Sequence, residues 1–257
     1  MNHCRLCWHK LPFLTTIMKI FQFIRNNIPN CITCMNLVCG TLAVIASFHC
    51  YETVIGGLLG YQVAYILIGI AALADFLDGF SARLLHAVSG IGKELDSLSD
   101  LVSFGIAPCM IVFNMLYTLY PTSRSIYLAV LIAVGGALRL ARFNVDTNQS
   151  TTFTGLPIPA NAIFWIGFTQ YMALHHDLSR WIILAVVVVM SWLMVSPLRM
   201  FSLKLHNLSL RDNWAQALLI VGTVVLVAVM GIVGLACAIV LYVILSIIKR
   251  EPAQSAS

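Results

Sequence analysis

Residues 214–248 read WAQALLIVGTVVLVAVMGIVGLACAIVLYVILSII, 35 positions without one Asp, Glu, Lys or Arg. A helix crosses the hydrocarbon layer of a bilayer with about 20 apolar residues, so this run has the length of a span or of two short ones. Gly231 and Gly234 offer a tight turn in its middle, and the run is read as a helical hairpin of spans 214–230 and 232–248. A second apolar run, WIILAVVVVMSWLMV, fills residues 181–195. With 60% hydrophobic and only 10% charged residues, the composition is far from that of a soluble domain. The chain reads as an all-α, polytopic transmembrane helical bundle.

Working outward from the hairpin, the expected spans are about 31–50, 55–79, 95–118, 125–142, 159–174 and 181–197, which with the last pair make eight. Eight spans put both chain ends on one side, with the loops around 80–94, 139–158 and 198–213. Those regions hold 13 of the 15 Lys and Arg residues; only Arg124 and Arg180 face the other way. Cytoplasmic loops carry the excess of Lys and Arg, so these regions are expected in the cytoplasm of a cell (inner) membrane protein. The same distribution disposes of a nucleic-acid partner for the net charge of +5, because no basic run interleaved with aromatics is present.

The chain divides into an N-terminal extension at 1–27, a core at 28–200, the C-terminal hairpin at 201–250 and a tail at 251–257. Arg5, Lys10, Lys19 and Arg25 stand in the first 30 residues with no acidic residue among them. No convincing signal-peptide cleavage site follows. Residues 14–25 are expected as a short amphipathic helix on the cytoplasmic surface, with Ile28-Pro29-Asn30 breaking the chain before the first span. Residues 1–17 read as no part of the domain, and Met18 is an alternative start.

Chemistry concentrates where the second and third spans meet. DFLDGFSAR (75–83) is expected to close one span, and GKELDSLSD (92–100) to open the next. Asp75 and Asp78 are 3 apart, Asp96 and Asp100 are 4 apart, so on helices each pair shares a face. A short connection makes the helices antiparallel neighbours, and the pairs can then face each other near the cytoplasmic interface. Four carboxylates so placed repel one another unless cations sit among them, and oxygen ligands suit Mg²⁺ or Mn²⁺. Two such ions can clamp a phosphoryl group during in-line displacement. Gly79, Ala82 and Gly92 lie on the same faces at intervals of 4 from an aspartate, leaving room for a bulky substrate. The plainer reading is a set of helix caps and salt-bridge partners.

Residues 75–100 read D-x2-D-G-x2-A-R-x8-G-x3-D-x3-D, with all 8 specified positions filled. In this the chain resembles the CDP-alcohol phosphotransferase family over roughly residues 28–200. The resemblance implies a six-helix core, a dinuclear site of Asp75, Asp78, Asp96 and Asp100, and Asp100 as general base on an acceptor hydroxyl. It further implies a CDP pocket shaped and charged by Gly79, Ala82, Arg83 and Gly92. PNCIT (29–33) is similar to the family's opening segment near the nucleotide, which brings in Asn30 and Thr33. A homodimer is also implied.

Three stretches resemble the serine-using branch, the phosphatidylserine synthases: KELDSLSDLVSFGIAP (93–108), RLARFN (139–144) and FTGLPIPA (153–160). The implied reaction takes CDP-diacylglycerol and L-serine to phosphatidylserine and CMP, with membrane lipid as the surrounding partner. Arg139 and Arg142, 3 apart at the cytoplasmic end of the fourth span, are candidates to hold the acceptor's carboxylate or phosphate. Ordinary interfacial anchoring accounts for such arginines equally well, and sister enzymes using glycerol phosphate or inositol phosphate also need basic residues there. A divalent-cation transporter would place its carboxylates near the bilayer midplane and often shows repeated halves; neither is seen here. A catalytically dead lipid-binding relative sits badly with the intact motif.

The remaining features carry less. Cys4 and Cys7 with His3 and His9 lack a second ligand pair at zinc-finger spacing. Cys31 and Cys34 lie in the first apolar span and are expected to pack there. The 8 cysteines, scattered through apolar segments, do not read as a disulfide framework. His175-His176 is expected as an interfacial pair, with Trp181 and Trp214 as belt residues.

Overall fold

The computed structural model describes residues 12–85, 89–145, 153–175, 177–201 and 213–249, with side chains from residue 27 onward. Eight apolar helices run through these residues, one at each expected span. They are α1 (Pro12–Ser47), α2 (Gly60–Leu84), α3 (Gly90–Leu119), α4 (Arg124–Val145), α5 (Ile158–Leu174), α6 (Arg180–Val195), α7 (Trp214–Met230) and α8 (Gly234–Ile248). Helices α1 to α4 each contain at least 21 residues apolar enough to cross a membrane, and the 35 residues from Trp214 to Ile248, which hold α7, the turn and α8, form the fifth such stretch.

The bundle is apolar inside and out. Ala43, Ala64, Val112, Met115 and Val187 are fully buried, while Val221, Val224, Val229, Ile244 and Ile247 are exposed. An outer apolar surface of this extent belongs in hydrocarbon, where helices satisfy their own backbone groups. The hairpin of α7 and α8 turns at Gly231, whose φ of 60° lies in the left-handed region open to glycine. It docks on α5 where Gly167 meets Ala236, the kind of small-residue contact that lets membrane helices approach closely.

Two boundaries differ from the sequence expectation. Helix α1 runs unbroken through Pro29 instead of stopping before it. Proline removes one hydrogen bond from a helix, and in membrane proteins local side chains repair the loss. Helix α2 begins at Gly60, later than the expected 55, because Thr53–Ile55 and Leu58–Leu59 pair as a small hairpin around Gly56 and Gly57, both at positive φ. The helix then continues to Leu84, so Asp75 and Asp78 lie inside it and not at its end.

The N-terminal Cys4/Cys7 cluster, His176 and the tail at 251–257 lie outside the described residues, as do the side chains of the expected amphipathic segment. Cys31 and Cys34 are exposed on α1, contrary to the expectation that they pack within the bundle; Thr33, Asn36, Cys39 and Ala43 are among the residues of α1 that are buried there. Trp181 and Trp214 are exposed near helix starts, as belt residues are.

Candidate active site

Helices α1, α2 and α3 meet in mutual contact and bring the four aspartates together. Helix α3 starts with Ser89 as its cap, the side chain accepting from the Gly92 N–H at 3.0 Å. Asp96 and Asp100 therefore stand in the second and third turns, and the helix-cap reading of these carboxylates fails. Asp75, Asp78 and Asp96 each offer an oxygen within 4.8 Å of the others. Among the described residues no Lys or Arg forms an ion pair with any of the four. Asp96 Oδ1 is buried and without a hydrogen-bond partner among the described residues. Converging acidic oxygens, one orphaned, with no protein cation among them, fit a hard divalent cation. Asp75, Asp78 and Asp96 are placed so that they could hold one, with Asp100 next along α3.

Asp100 and Asp78 have further partners that the sequence reading missed. Asn36 Nδ2 donates to Asp100 Oδ1 at 3.1 Å, and Thr33 Oγ1 lies 2.6 Å from Asp78 Oδ2. Ser103 Oγ lies 2.6 Å from Asn36 Oδ1. Ser103 belongs to a π-helical segment, Leu101–Ile106, that begins directly after Asp100. Such wide turns inside α-helices are frequent at functional sites.

A pocket of about 280 Å³ opens beside the carboxylates. Asp96, Asp100, Lys93 and Ser97 of α3 line one side; Arg139 and Asn144 of α4 line the other, closed by Pro157 and Pro159. Two prolines reach this place because Phe153–Thr154 pairs with Arg199–Met200, and because the N–H groups of Gly155 and Leu156 donate to Leu198 and Leu193 at 2.8 and 3.1 Å. Thus all three stretches singled out in the sequence, 93–108, 139–144 and 153–160, meet around one cavity.

The two candidate arginines part company. Arg139 lines the pocket, its buried Nε without a hydrogen-bond partner among the described residues. Arg142 is exposed and donates from Nη1 to the Val195 carbonyl at 2.7 Å, at the end of α6. Of the residues expected near CDP, Gly79 is exposed with open space about its Cα, and Arg83 Nε donates to the Gly79 carbonyl at 2.9 Å. Ala82 is half-buried beside them in sequence. Gly92 lies against Asn30, whose Oδ1 would stand 3.0 Å from a Cβ added there. Thr33 is buried.

The CDP-alcohol phosphatidyltransferase family model matches residues 26–193, the part of the chain that builds this site. The chain belongs to the CDP-alcohol phosphatidyltransferase family. Its apolar helices and this membership make it an integral membrane protein. Among curated relatives, the CDP-diacylglycerol–serine O-phosphatidyltransferase of Bacillus subtilis is 40% identical over 135 residues, covering 52% of this chain and 70% of the relative. The protein of that name in Methanocaldococcus jannaschii is 35% identical over 139 residues, covering 54% and 58%. An archaetidylserine synthase of Methanothermobacter thermautotrophicus is 37% identical over 175 residues, covering 67% and 69%. The chain thus spans between 58% and 70% of the length of these family members. The expected resemblance to the family and to its serine branch holds.

Proposed function

We propose that this chain transfers the phosphatidyl group of CDP-diacylglycerol to the hydroxyl of L-serine, giving phosphatidylserine and CMP. The observation that carries this reading is the pocket joining Asp96 and Asp100 to Arg139. At about 280 Å³ it lies at the small end of ligand sites, a size for a compact polar acceptor and not for a lipid tail. An arginine with an unsatisfied buried Nε answers a carboxylate through charge-assisted hydrogen bonds.

On this reading Asp100 takes the proton of the serine hydroxyl as its oxygen bonds to the phosphorus bearing diacylglycerol. The bond from that phosphorus to the CMP oxygen breaks, and CMP leaves. Two divalent cations, Mg²⁺ or Mn²⁺, held by Asp75, Asp78, Asp96 and Asp100, would neutralise the pyrophosphate and the leaving group. Gly79 leaves the α2 surface open for the nucleotide, beside Asn30, Ala82, Arg83 and Gly92. Arg139 orients the acceptor.

The catalytic core on this reading spans about 28–200, with the α7–α8 hairpin added to it. Its carboxylate end and both termini face the cytoplasm of the cell membrane, following the charge asymmetry of the loops, and the working unit is a homodimer. The test is CMP release by the purified protein supplied with CDP-diacylglycerol. Release that requires serine, stops with a chelator and returns with added Mn²⁺ or Mg²⁺ supports the reading. Serine-independent release, or release indifferent to chelation, would refute it.

A further inference from the structure

We propose that Thr33 and Asn36 of α1 are positioning residues: Thr33 fixes the carboxylate of Asp78 on α2, and Asn36, itself locked by Ser103, fixes that of Asp100 on α3. This rests on the reading of the aspartates as a cation site with Asp100 as base. Thr33 and Asn36 are 3 apart and share one face of α1. They are 3% and 0% exposed, so neither has water as an alternative partner.

Each contact selects one arrangement. The Thr33 hydroxyl lies 3.0 Å from the Pro29 carbonyl, the usual target of a helical threonine, and 2.6 Å from Asp78 Oδ2. It has one proton, and an ionised carboxylate at the shorter distance takes it. For Asn36, the carboxylate decides which end of the amide faces Asp100, because an ionised carboxylate only accepts. The Asn36 NH₂ donates to Asp100 Oδ1 at 3.1 Å, which leaves Asn36 Oδ1 to accept from the Ser103 hydroxyl at 2.6 Å; that hydroxyl also lies 3.0 Å from the Asn36 backbone carbonyl. Asp100 Oδ2 is then the oxygen left for the acceptor proton.

The backbone is arranged to allow this. Gly40, one turn beyond Asn36, has no side chain where a Cβ would stand 2.7 Å from the Ser103 Cα. The π-helical turn after Asp100 carries Ser103 into that space. Thus one helix that supplies no carboxylate holds one carboxylate from each of the two that do, over separations of 45 and 64 residues.

The test uses the purified full chain, with Mn²⁺ binding followed by loss of the free-ion magnetic-resonance signal, beside kcat and KM for both substrates. Wild type and Asp75→Asn come first. Should wild type bind no Mn²⁺, or Asp75→Asn bind it equally well, the underlying site reading fails. With that reading intact, Thr33→Val, the same shape without a hydroxyl, is expected to weaken Mn²⁺ binding about tenfold, and Thr33→Ser to restore it. Asn36→Ala is expected to lower kcat about tenfold or more, with Mn²⁺ binding and the KM for CDP-diacylglycerol kept. Ser103→Ala, nearly isosteric, should do the same to a smaller degree, and decides the matter if Asn36→Ala does not fold. Wild-type Mn²⁺ affinity in Thr33→Val with a raised KM for CDP-diacylglycerol would assign Thr33 to the nucleotide and overturn its positioning role. Wild-type kcat in folded Asn36→Ala or in Ser103→Ala would overturn that of Asn36.

Discussion

Asn144 donates from Nδ2 to the Ser97 hydroxyl at 2.9 Å, and both residues line the pocket beside Asp100. The bond ties α4 to α3 across the cavity and sets its width. Removing it in Asn144→Ala costs one hydrogen bond, about 1 kcal/mol, or roughly fivefold in an equilibrium. The expected outcome is a fivefold rise in KM for serine with CDP-diacylglycerol binding unchanged. Steady-state kinetics with each substrate varied in turn checks it.

Arg139 and Arg142 are expected to behave differently, although both qualify on sequence. Arg139→Ala removes a charged hydrogen-bond donor from the pocket, an interaction worth about 1.5–3 kcal/mol. Its kcat/KM for serine should fall by about 10- to 150-fold. Arg142→Ala loses the bond to the Val195 carbonyl and should cost about 1 kcal/mol of stability, with kcat/KM for serine within about threefold of wild type. Thermal unfolding and kinetics on the two variants separate the roles.

The four aspartates are expected to divide by function. Asp100→Asn should lose about 10²- to 10⁴-fold in turnover, the usual worth of general-base assistance, while cation-dependent binding of CDP-diacylglycerol survives. Asp75→Asn or Asp78→Asn should weaken cation and liponucleotide binding together. Equilibrium binding of the nucleotide with and without Mn²⁺, beside turnover, is the measurement.

How much of this was open to the sequence follows from the range of each signal. Long apolar runs place all eight helices, since a lone segment satisfies its own backbone in lipid only as a helix. Their ends are less visible: Gly56 and Gly57 move the start of α2, and Pro29 leaves α1 unbroken. The aspartates stand out because ionised groups are rare in apolar helices and their spacing is local. Asn36 and Ser103 do not, because single polar residues in apolar segments have no periodic signature. Their meaning comes from partners 64 and 67 residues away. The one cue was that Asn36 follows Thr33 at helical spacing. Arg142 shows the same limit: local spacing puts it with Arg139, while its bond to the Val195 carbonyl on another helix leaves no mark in the sequence.

Gly40 offers a test of packing. Gly40→Ala would place a Cβ 2.7 Å from the Ser103 Cα, backbone that cannot yield without parting α1 from α3. Overpacking of this kind costs about 1–3 kcal/mol. A lowered unfolding temperature is expected, with turnover reduced beyond what stability explains, because the Asn36–Asp100 contact opens with it.

The central claim, phosphatidyl transfer to serine at the aspartate cluster, is tested most directly by an acceptor panel. Purified protein, CDP-diacylglycerol and Mn²⁺ or Mg²⁺ are offered serine, glycerol phosphate and inositol phosphate separately, and the lipid product and CMP are quantified. The account expects phosphatidylserine and CMP in equal amounts from serine, none from the other two, and none from Asp100→Asn above a hundredth of the wild-type rate. A phospholipid product from glycerol phosphate or inositol phosphate in place of serine, or wild-type turnover in Asp100→Asn, would contradict it.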